Sequence, residues 1–362
     1  MRIGVLLPTN VYFSPYSRVY TDIFDKIGIA YDIIYFDKRN LNEPAAYCFA
    51  AKVSSTDGMF KRFWGYYRYA RFLRKVIKKE KYDRLVVCGP QIGIFLYHFL
   101  KKYYIGKFIL DYRDLSIEQR FMGRYRKLLS ISAYNMISSP GFKRCLPPDV
   151  DYILSHNFSI DLLRNALSPR SPEESTVPSL TLHNSKISVL TIGGIRDFEQ
   201  NAAVMLALSN HPKFETAYIG RGEEGADVKL RELAKENNID NVHFEGYYKK
   251  EDEPEIISHC TFLNIFYPRK LSHDTALSNR FYSSLIFRKP MIATKDTIQG
   301  DYAEKYRVGI AITDTTDLCT QLQKYTDNFN GQDYEEQRKL LLQSFLDDYS
   351  RFKDAVMRFV GL

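Results

Sequence analysis

Two glycines and two arginines are the residues of this chain best suited to chemistry. In TIGGIRDFEQN, Thr191 to Asn201, an apolar run ends in Gly193 and Gly194, which let the backbone come close to a ligand. Arg196 follows where the loop leads into a helical pattern, so backbone amides, a helix dipole and a guanidinium could converge on a phosphate. The same residues also suit a tight strand-to-helix turn with a surface arginine. The second arginine opens the helical part of ALSNRFYSSLIFRKPMIAT, Ala276 to Thr294, which runs into a Lys289-Pro290 turn and a short buried strand. Asn279 and Arg280 would place an amide and a cation at a helix N-terminus, with Tyr282 and Ser283 in the following turn. Between the two arginines, YIGRGEE (Tyr218 to Glu224) and NVHFEGYYKKEDEPEIISHC (Asn241 to Cys260) follow or contain strand patterns. The second puts Gly246 and Tyr247 at a strand end, before a helix rich in acids.

Carboxylates that could serve as a base lie earlier in the chain. KFILDYRDL, Lys107 to Leu115, is a strand ending in Asp111 and Asp114. Asp114 is the better candidate, although either residue could cap the strand end or pair with Arg113. Of the seven histidines, His98 reads as packed in an apolar helix and His156 closes a strand near a hinge, while His273 sits in the loop just before the second arginine. The five cysteines (Cys48, Cys88, Cys145, Cys260 and Cys319) form no CxxC and have no metal-ligand spacing to nearby histidines, which suggests neither a disulfide framework nor a zinc site. No DxD falls at a strand end, so no catalytic metal is expected.

These residues need elements to hold them. The first half alternates the apolar runs RIGVLLP, YDIIYF, RLVVCG, KFILDYR, MISS and YILSHN with helical spacing, the pattern of a parallel sheet covered on both faces. A Pro- and Ser-rich stretch over 165–186 reads as linker or loop. ISVLTIGG, ETAYIG, NVHFEG, TFLNIFY, PMIAT and VGIAIT then repeat the alternation, and the tail from Tyr334 reads as one or two helices. The expectation is α/β with two Rossmann-like domains facing a cleft: residues 1–160, with 345–362 crossing back to them, and residues 187–340. In such sheets ligands sit beyond the carboxyl ends of the strands.

The charge is unevenly spread. Met1 to Ser155 carries 26 Lys and Arg against 13 Asp and Glu, whereas His156 to Leu362 carries 25 against 30. Much of the excess lies in FKRFWGYYRYARFLRKVIKKEKYD, Phe60 to Asp83, read as a basic amphipathic helix packed through Phe63, Tyr67, Ala70, Leu73 and Ile77. Arg68, Arg71 and Lys75 fall on its other side, either as an ordinary solvated face or against anionic headgroups or acceptor phosphates. No helix-turn-helix, finger or RNA-binding pattern accompanies the patch, which argues against nucleic acid. The start of the chain lacks the pattern of a signal peptide, and no apolar run approaches the ~18 residues of a membrane span.

Taken in order, the second-half motifs resemble the donor-binding domain of GT-B glycosyltransferases, specifically family 4-like enzymes of bacterial capsular and surface polysaccharide biosynthesis. That family has a GxG-like turn with an arginine, a GxGxE-like segment, a V-x-F-x-G segment, an apolar strand, and a helix of the type NKLYEYLALGKPVIAT. Here the last element is Asn279 to Leu285, then Arg288, Lys289, Pro290 and Met291 to Thr294, aligned without a gap. The resemblance spans Lys186 to Ile312. In the first half KFILDYRDL, ISSPGFKRCLP and YILSHNFSI are similar to the family more loosely. Departures are specific. Ser283 stands where many members carry a glutamate for the donor ribose, Asp274 is the nearest counterpart of an earlier acidic residue, and neutral Asn201 falls near the position of a lysine.

The resemblance implies a metal-independent hexosyltransferase without a bound cofactor, moving sugar from a nucleoside-diphosphate sugar to a polyprenyl-linked or saccharide acceptor. Arg196, Arg280 and the amides near Gly194 would stabilise the departing diphosphate. Gly193, Gly246, Tyr247, Asp274, Asn279, Tyr282 and Ser283 would complete the donor site, and Asp114 would act as base if the reaction inverts. The resemblance favours retention, which needs no protein base. The enzyme would be cytoplasmic and peripheral at the inner face of the membrane. Two alternatives keep the fold: a catalytically degenerate protein that binds a glycan or a partner, and a sugar-nucleotide epimerase.

Overall fold

A computed structural model of the protein describes residues 1–54, 57–168, 180, 182, 185–223 and 225–362. The chain divides into two compact units, Met1–Asn157 with Asp347–Leu362 (unit 1) and Phe158–Leu346 (unit 2).

Unit 1 is built on seven parallel strands: β1 (Arg2–Leu7), β2 (Ala30–Asp37), β3 (Tyr47–Ala50), β4 (Arg84–Cys88), β5 (Phe108–Tyr112), β6 (Tyr134–Ile137) and β7 (Ile153–Leu154). Their order across the sheet is β3-β2-β1-β4-β5-β6-β7. Helices α1 (Arg18–Lys26), α2 (Met59–Glu80), α3 (Pro90–Tyr103) and α4 (Met122–Leu129) make crossovers between them. The continuous apolar runs follow from this arrangement, because a strand covered on both faces must be apolar at both parities. All five residues of β5 are buried, as are five of the six in β1. The short strand β3 was not expected from the sequence. It is the sheet edge, with only every second residue turned inward.

In unit 2, α5 (Ile160–Leu167) precedes a six-stranded parallel sheet of β8 (Ile187–Ile195), β9 (Phe214–Gly222), β10 (Val242–Glu245), β11 (Phe262–Ile265), β12 (Met291–Thr294) and β13 (Gly309–Ile312). The order is β10-β9-β8-β11-β12-β13. Between the strands run α6 (Phe198–Leu208), α7 (Ala226–Glu236), α8 (Glu253–Ser258), α9 (Leu271–Thr275), α10 (Asn279–Ile286) and α11 (Ile298–Lys305), and α12 (Leu318–Asp327) follows the last. The expected linker begins inside a helix, since Asn165 to Leu167 belong to α5. Most of the rest of it, including Pro169, Pro172 and Pro178, lies outside the described residues.

The tail is one long helix, α13 (Gly331–Phe359). Leu341, Leu342 and Phe345 pack with Phe281, Leu285 and Met291 of unit 2. Phe352, Ala355, Val356 and Phe359 pack with Ile3, Val5, Tyr20 and Phe24 of unit 1.

Each unit reverses its winding once, between β1 and β4 and between β8 and β11. That reversal opens a crevice beyond the carboxyl ends of the two strands.

The buried face of α2 differs from expectation at its first turns. Gly65, Tyr69, Ala70, Leu73, Val76 and Ile77 are buried, but Phe63 remains 50% exposed. Tyr66 and Tyr69 take the inward positions instead, against Phe36 at ring separations of 5.7 and 4.9 Å.

Candidate functional site

The reversal point of unit 2 is occupied by Arg280. Ser278 caps α10 by accepting from the Phe281 amide at 3.2 Å, and it is itself fixed by donating from its amide and hydroxyl to Gln299 Oε1 at 3.0 and 2.7 Å. The helix therefore starts at a defined place. From there the Arg280 guanidinium donates to the carbonyls of Ile192 (2.6 Å) and Gly194 (2.6 Å) in β8 and of Asn264 (3.2 Å) in β11. It also lies 5.7 Å from the Tyr267 ring centroid. Part of the fork is thus engaged in holding the two strand ends together, a role the sequence did not suggest. Of an arginine's five N–H donors, these contacts use three. Among the described residues no carboxylate pairs with Arg280, so its formal charge has no formal counter-charge.

The glycines at this rim have a steric reason. Gly193 has φ +93° and pairs with Gly220 in the β8–β9 ladder, and a Cβ added at Gly220 would lie 2.0 Å from the Gly193 carbonyl oxygen. Arg196 is exposed, with Nε 4.0 Å from Glu223. The loop below it is held by buried Asn201, whose amide donates to the carbonyls of Arg196 (2.5 Å) and Asp197 (3.1 Å). Thr191 and Asn264 bond Asn201 Oδ1 from beneath. The asparagine near the family's lysine position is a structural residue here and supplies no cation. Asp197 takes a left-handed φ of +53°, and its carboxylate lies 3.7 Å from Lys270 Nζ and 4.0 Å from His273 Nε2.

One expected donor residue is placed otherwise. Tyr282 is buried in the core against Phe158 and Phe345, because the inward face of α10 includes position 282. Asp274 is engaged by Arg269, at 3.0 and 3.4 Å. Gly246, Tyr247 and Asn279 are exposed.

Ser283 is the informative position. It is buried, and its hydroxyl donates at 3.0 Å to Glu253 Oε1, a carboxylate only 5% exposed at the start of α8. Tyr248 and Lys250 bond the other oxygen of Glu253. Lys289 adds a second tie between the segments, its Nζ donating to the Ser258 carbonyl at 2.7 Å, and burial lowers its pKa. A carboxylate therefore does stand beside α10, supplied by a different helix. The sequence showed α8 only as acid-rich, and nothing in the spacing linked position 253 to position 283.

In unit 1, Asp114 is exposed in the loop after β5. Asp111, the second candidate base, is fully buried. It accepts from Tyr20 at 2.8 Å and from Arg113 at 2.6 Å, and Arg113 also bonds the Ser155 carbonyl and hydroxyl. That makes Asp111 an interior structural group. Arg68, Arg71 and Lys75 lie exposed on α2. Among the described residues no group of His, Cys, Asp and Glu is arranged to hold a metal ion, and no helix is long and apolar enough to cross a membrane.

No family model and no curated protein matches the chain. Solved structures do. Sucrose-phosphate synthase from Thermosynechococcus elongatus is similar over 100% of this chain and 99% of its own, with TM-score 0.69 and 12% identity. The lipopolysaccharide outer core galactosyltransferase WaaB is similar over 99% of both chains, with TM-score 0.66 and 12% identity. A putative UDP-N-acetylglucosamine 2-epimerase from Listeria monocytogenes is similar over 94% of this chain and 90% of its own, with TM-score 0.58 and 10% identity. What these proteins share with the chain is the GT-B fold, two α/β units each built on a parallel sheet.

Proposed function

We propose that the protein transfers a glycosyl group from a nucleoside-diphosphate sugar to a saccharide or lipid-linked acceptor in the assembly of a bacterial surface polysaccharide. The observation that carries this reading is Arg280, a cation with no carboxylate partner among the described residues, fixed by carbonyls of β8 and β11 where a doubly wound sheet binds ligands. As the glycosidic bond breaks, charge grows on the diphosphate. Donors already in place stabilise that charge without reorganising. The free N–H groups of Arg280, with Arg196 at the same rim, would do so without needing a metal.

Glu253, reached through Ser283, would provide the carboxylate for the ribose hydroxyls. Retention would leave the acceptor proton to the departing phosphate, and inversion would assign it to Asp114. The galactosyltransferase similarity, named for lipopolysaccharide outer core, supports the acceptor class. A lipid-linked acceptor would bring the protein to the inner face of the cytoplasmic membrane.

The epimerase similarity favours a second reading in which the same site isomerises the donor. Titration with UDP and GDP, followed by incubation with donor sugars with and without acceptor, separates the cases. Transfer predicts nucleotide release that depends on acceptor. Conversion of the donor without acceptor would establish the epimerase instead, and absence of nucleotide binding at millimolar concentration would sink both.

A further inference from the structure

We propose that unit 1 docks on an anionic lipid bilayer through one face of α2, with the aromatic first turns entering the headgroup region and the cationic last turns lying over it. This rests on the peripheral placement proposed above but not on the sugar chemistry. At 100° per residue, Phe60, Trp64, Arg68, Arg71, Lys75 and Lys78 fall within one arc of roughly 80°, opposite the buried stripe through Tyr69, Leu73 and Val76. Phe60 is 88% exposed and Trp64 58%. Met59 and Phe63 flank them, the Phe63 ring leaning on Phe95 at 5.1 Å. Arg120 bonds Met59 Sδ at 3.0 Å.

The charge is complementary to an anionic surface. From Met59 to Lys79 the helix carries eight Lys and Arg and no Asp or Glu. Among the described residues Arg68, Arg71 and Lys75 have no carboxylate partner. Along this arc the aromatics, Phe60 and Trp64, precede the cations, while Lys61 and Arg62 lie off it and Lys61 pairs with Asp57; that order suits an interface with an apolar boundary and an anionic face. A single-stranded nucleic acid would instead favour stacking rings set among the cations. From Phe60 to Lys78 the stripe runs about 27 Å, enough for the helix to lie along a membrane surface.

Placement adds a functional reason. As the crossover from β3 to β4, α2 begins at the rim to which the parallel strands point, and that rim also carries Asp114 after β5. Docking by this tip would bring that rim of unit 1 to the bilayer, where a lipid-linked acceptor resides.

Trp64 is the chain's one tryptophan, so intrinsic emission reports on the patch directly. The full chain is titrated with vesicles of phosphatidylcholine alone and of phosphatidylcholine with phosphatidylglycerol. With the anionic vesicles the emission should shift to shorter wavelength and be quenched by brominated acyl chains, with little response to neutral vesicles. Reversing Arg68, Arg71 and Lys75 to glutamate should weaken binding about a hundredfold. Phe60→Ser with Phe63→Ser should lower co-sedimentation about tenfold while circular dichroism and UDP affinity stay unchanged.

An absent shift at low salt, or undiminished sedimentation of the serine variant, would overturn the proposal. A shift with oligonucleotide but not with vesicles would do the same, as would a concentration-dependent shift without lipid that marks self-association. Vesicle binding by a protein that binds no nucleotide would leave the docking standing and remove the sugar-transfer reading.

Discussion

At the end of β5 in unit 1, Asp111, Arg113 and Tyr20 close on one another inside the fold, whereas at the ends of β8 and β11 in unit 2, Arg280 bonds backbone carbonyls and, among the described residues, no carboxylate. The sheets share one winding order, so the contrast is not topological. It lies in where each unit leaves formal charge. Unit 1 holds 29 Lys and Arg against 16 Asp and Glu, yet the pair at the end of β5 is neutralised and much of its excess stands on the outer face of α2. Unit 2 holds 22 against 27, and at its candidate rim Arg280 has no carboxylate partner among the described residues. Net charge is therefore a poor guide to where an anion binds. An acidic unit could carry the proposed diphosphate site, since among the described residues one guanidinium is paired with no carboxylate.

Breaking the interior pair tests the first half of that contrast. Asp111→Asn should lower the stability of unit 1 by about 3 kcal/mol, because Arg113 is left as a buried charge without its counter-ion. Urea unfolding measures the loss, and UDP affinity of the folded variant should be unchanged. A variant of normal stability with impaired binding would mean that Asp111 serves a ligand after all.

The second half is tested at Arg280. Arg280→Ala should weaken UDP binding about a hundredfold, since charge-assisted bonds to a phosphate are worth about 1.5 to 3 kcal/mol. Arg280→Lys keeps the charge but loses the planar fork that reaches three carbonyls and a ligand together. Its affinity should fall between the two. Calorimetric titration that finds the alanine variant near wild type would remove Arg280 from the site and leave it a strand-end clamp.

The sequence analysis located twelve of the thirteen strands, nine of them inside a sheet, where both faces are covered and apolar runs are continuous. Edge strand β3, a run of four residues, escaped, although the edge strands β7, β10 and β13 were found. The site was legible only as far as local grammar reaches. Gly193, Gly194, Arg196 and Arg280 sit at strand ends and a helix start, positions that local pattern marks. Tyr282 looked like a ligand contact because helical spacing alone does not tell which face of α10 packs against Phe158 and Phe345. The pairing of Ser283 with Glu253 joins residues 30 positions apart in different helices, and no period connects them.

That pairing gives the next smaller effect. If Glu253 serves the ribose, Glu253→Gln should weaken UDP binding about tenfold by replacing a charged acceptor with a neutral one. The loss should be smaller for 2′-deoxy-UDP, which offers one hydroxyl fewer. Equal losses for the two nucleotides would restrict Glu253 to bracing α10 through Ser283.

The smallest effect belongs to unit 1 and sets its interior apart from the exposed rim of unit 2. Burial lowers the pKa of His156 below the ordinary 6.5, Asp348 pulling the other way and Arg113 reinforcing the drop. The unfolded chain protonates this histidine as pH falls through about 6.5, while the folded chain resists until lower pH, so the unfolded state binds the extra proton. Stability from this group is complete above that value and is lost as pH falls toward the lowered folded pKa. His156→Gln can still donate to Asp348, which His156 meets at 3.1 Å, but cannot titrate. Urea midpoints at about pH 7.5 and about pH 5.5 should therefore differ less in the variant than in the wild type. An identical pH dependence in both proteins would show that the His156 and Asp348 pair carries a proton in the folded state as readily as in the unfolded one.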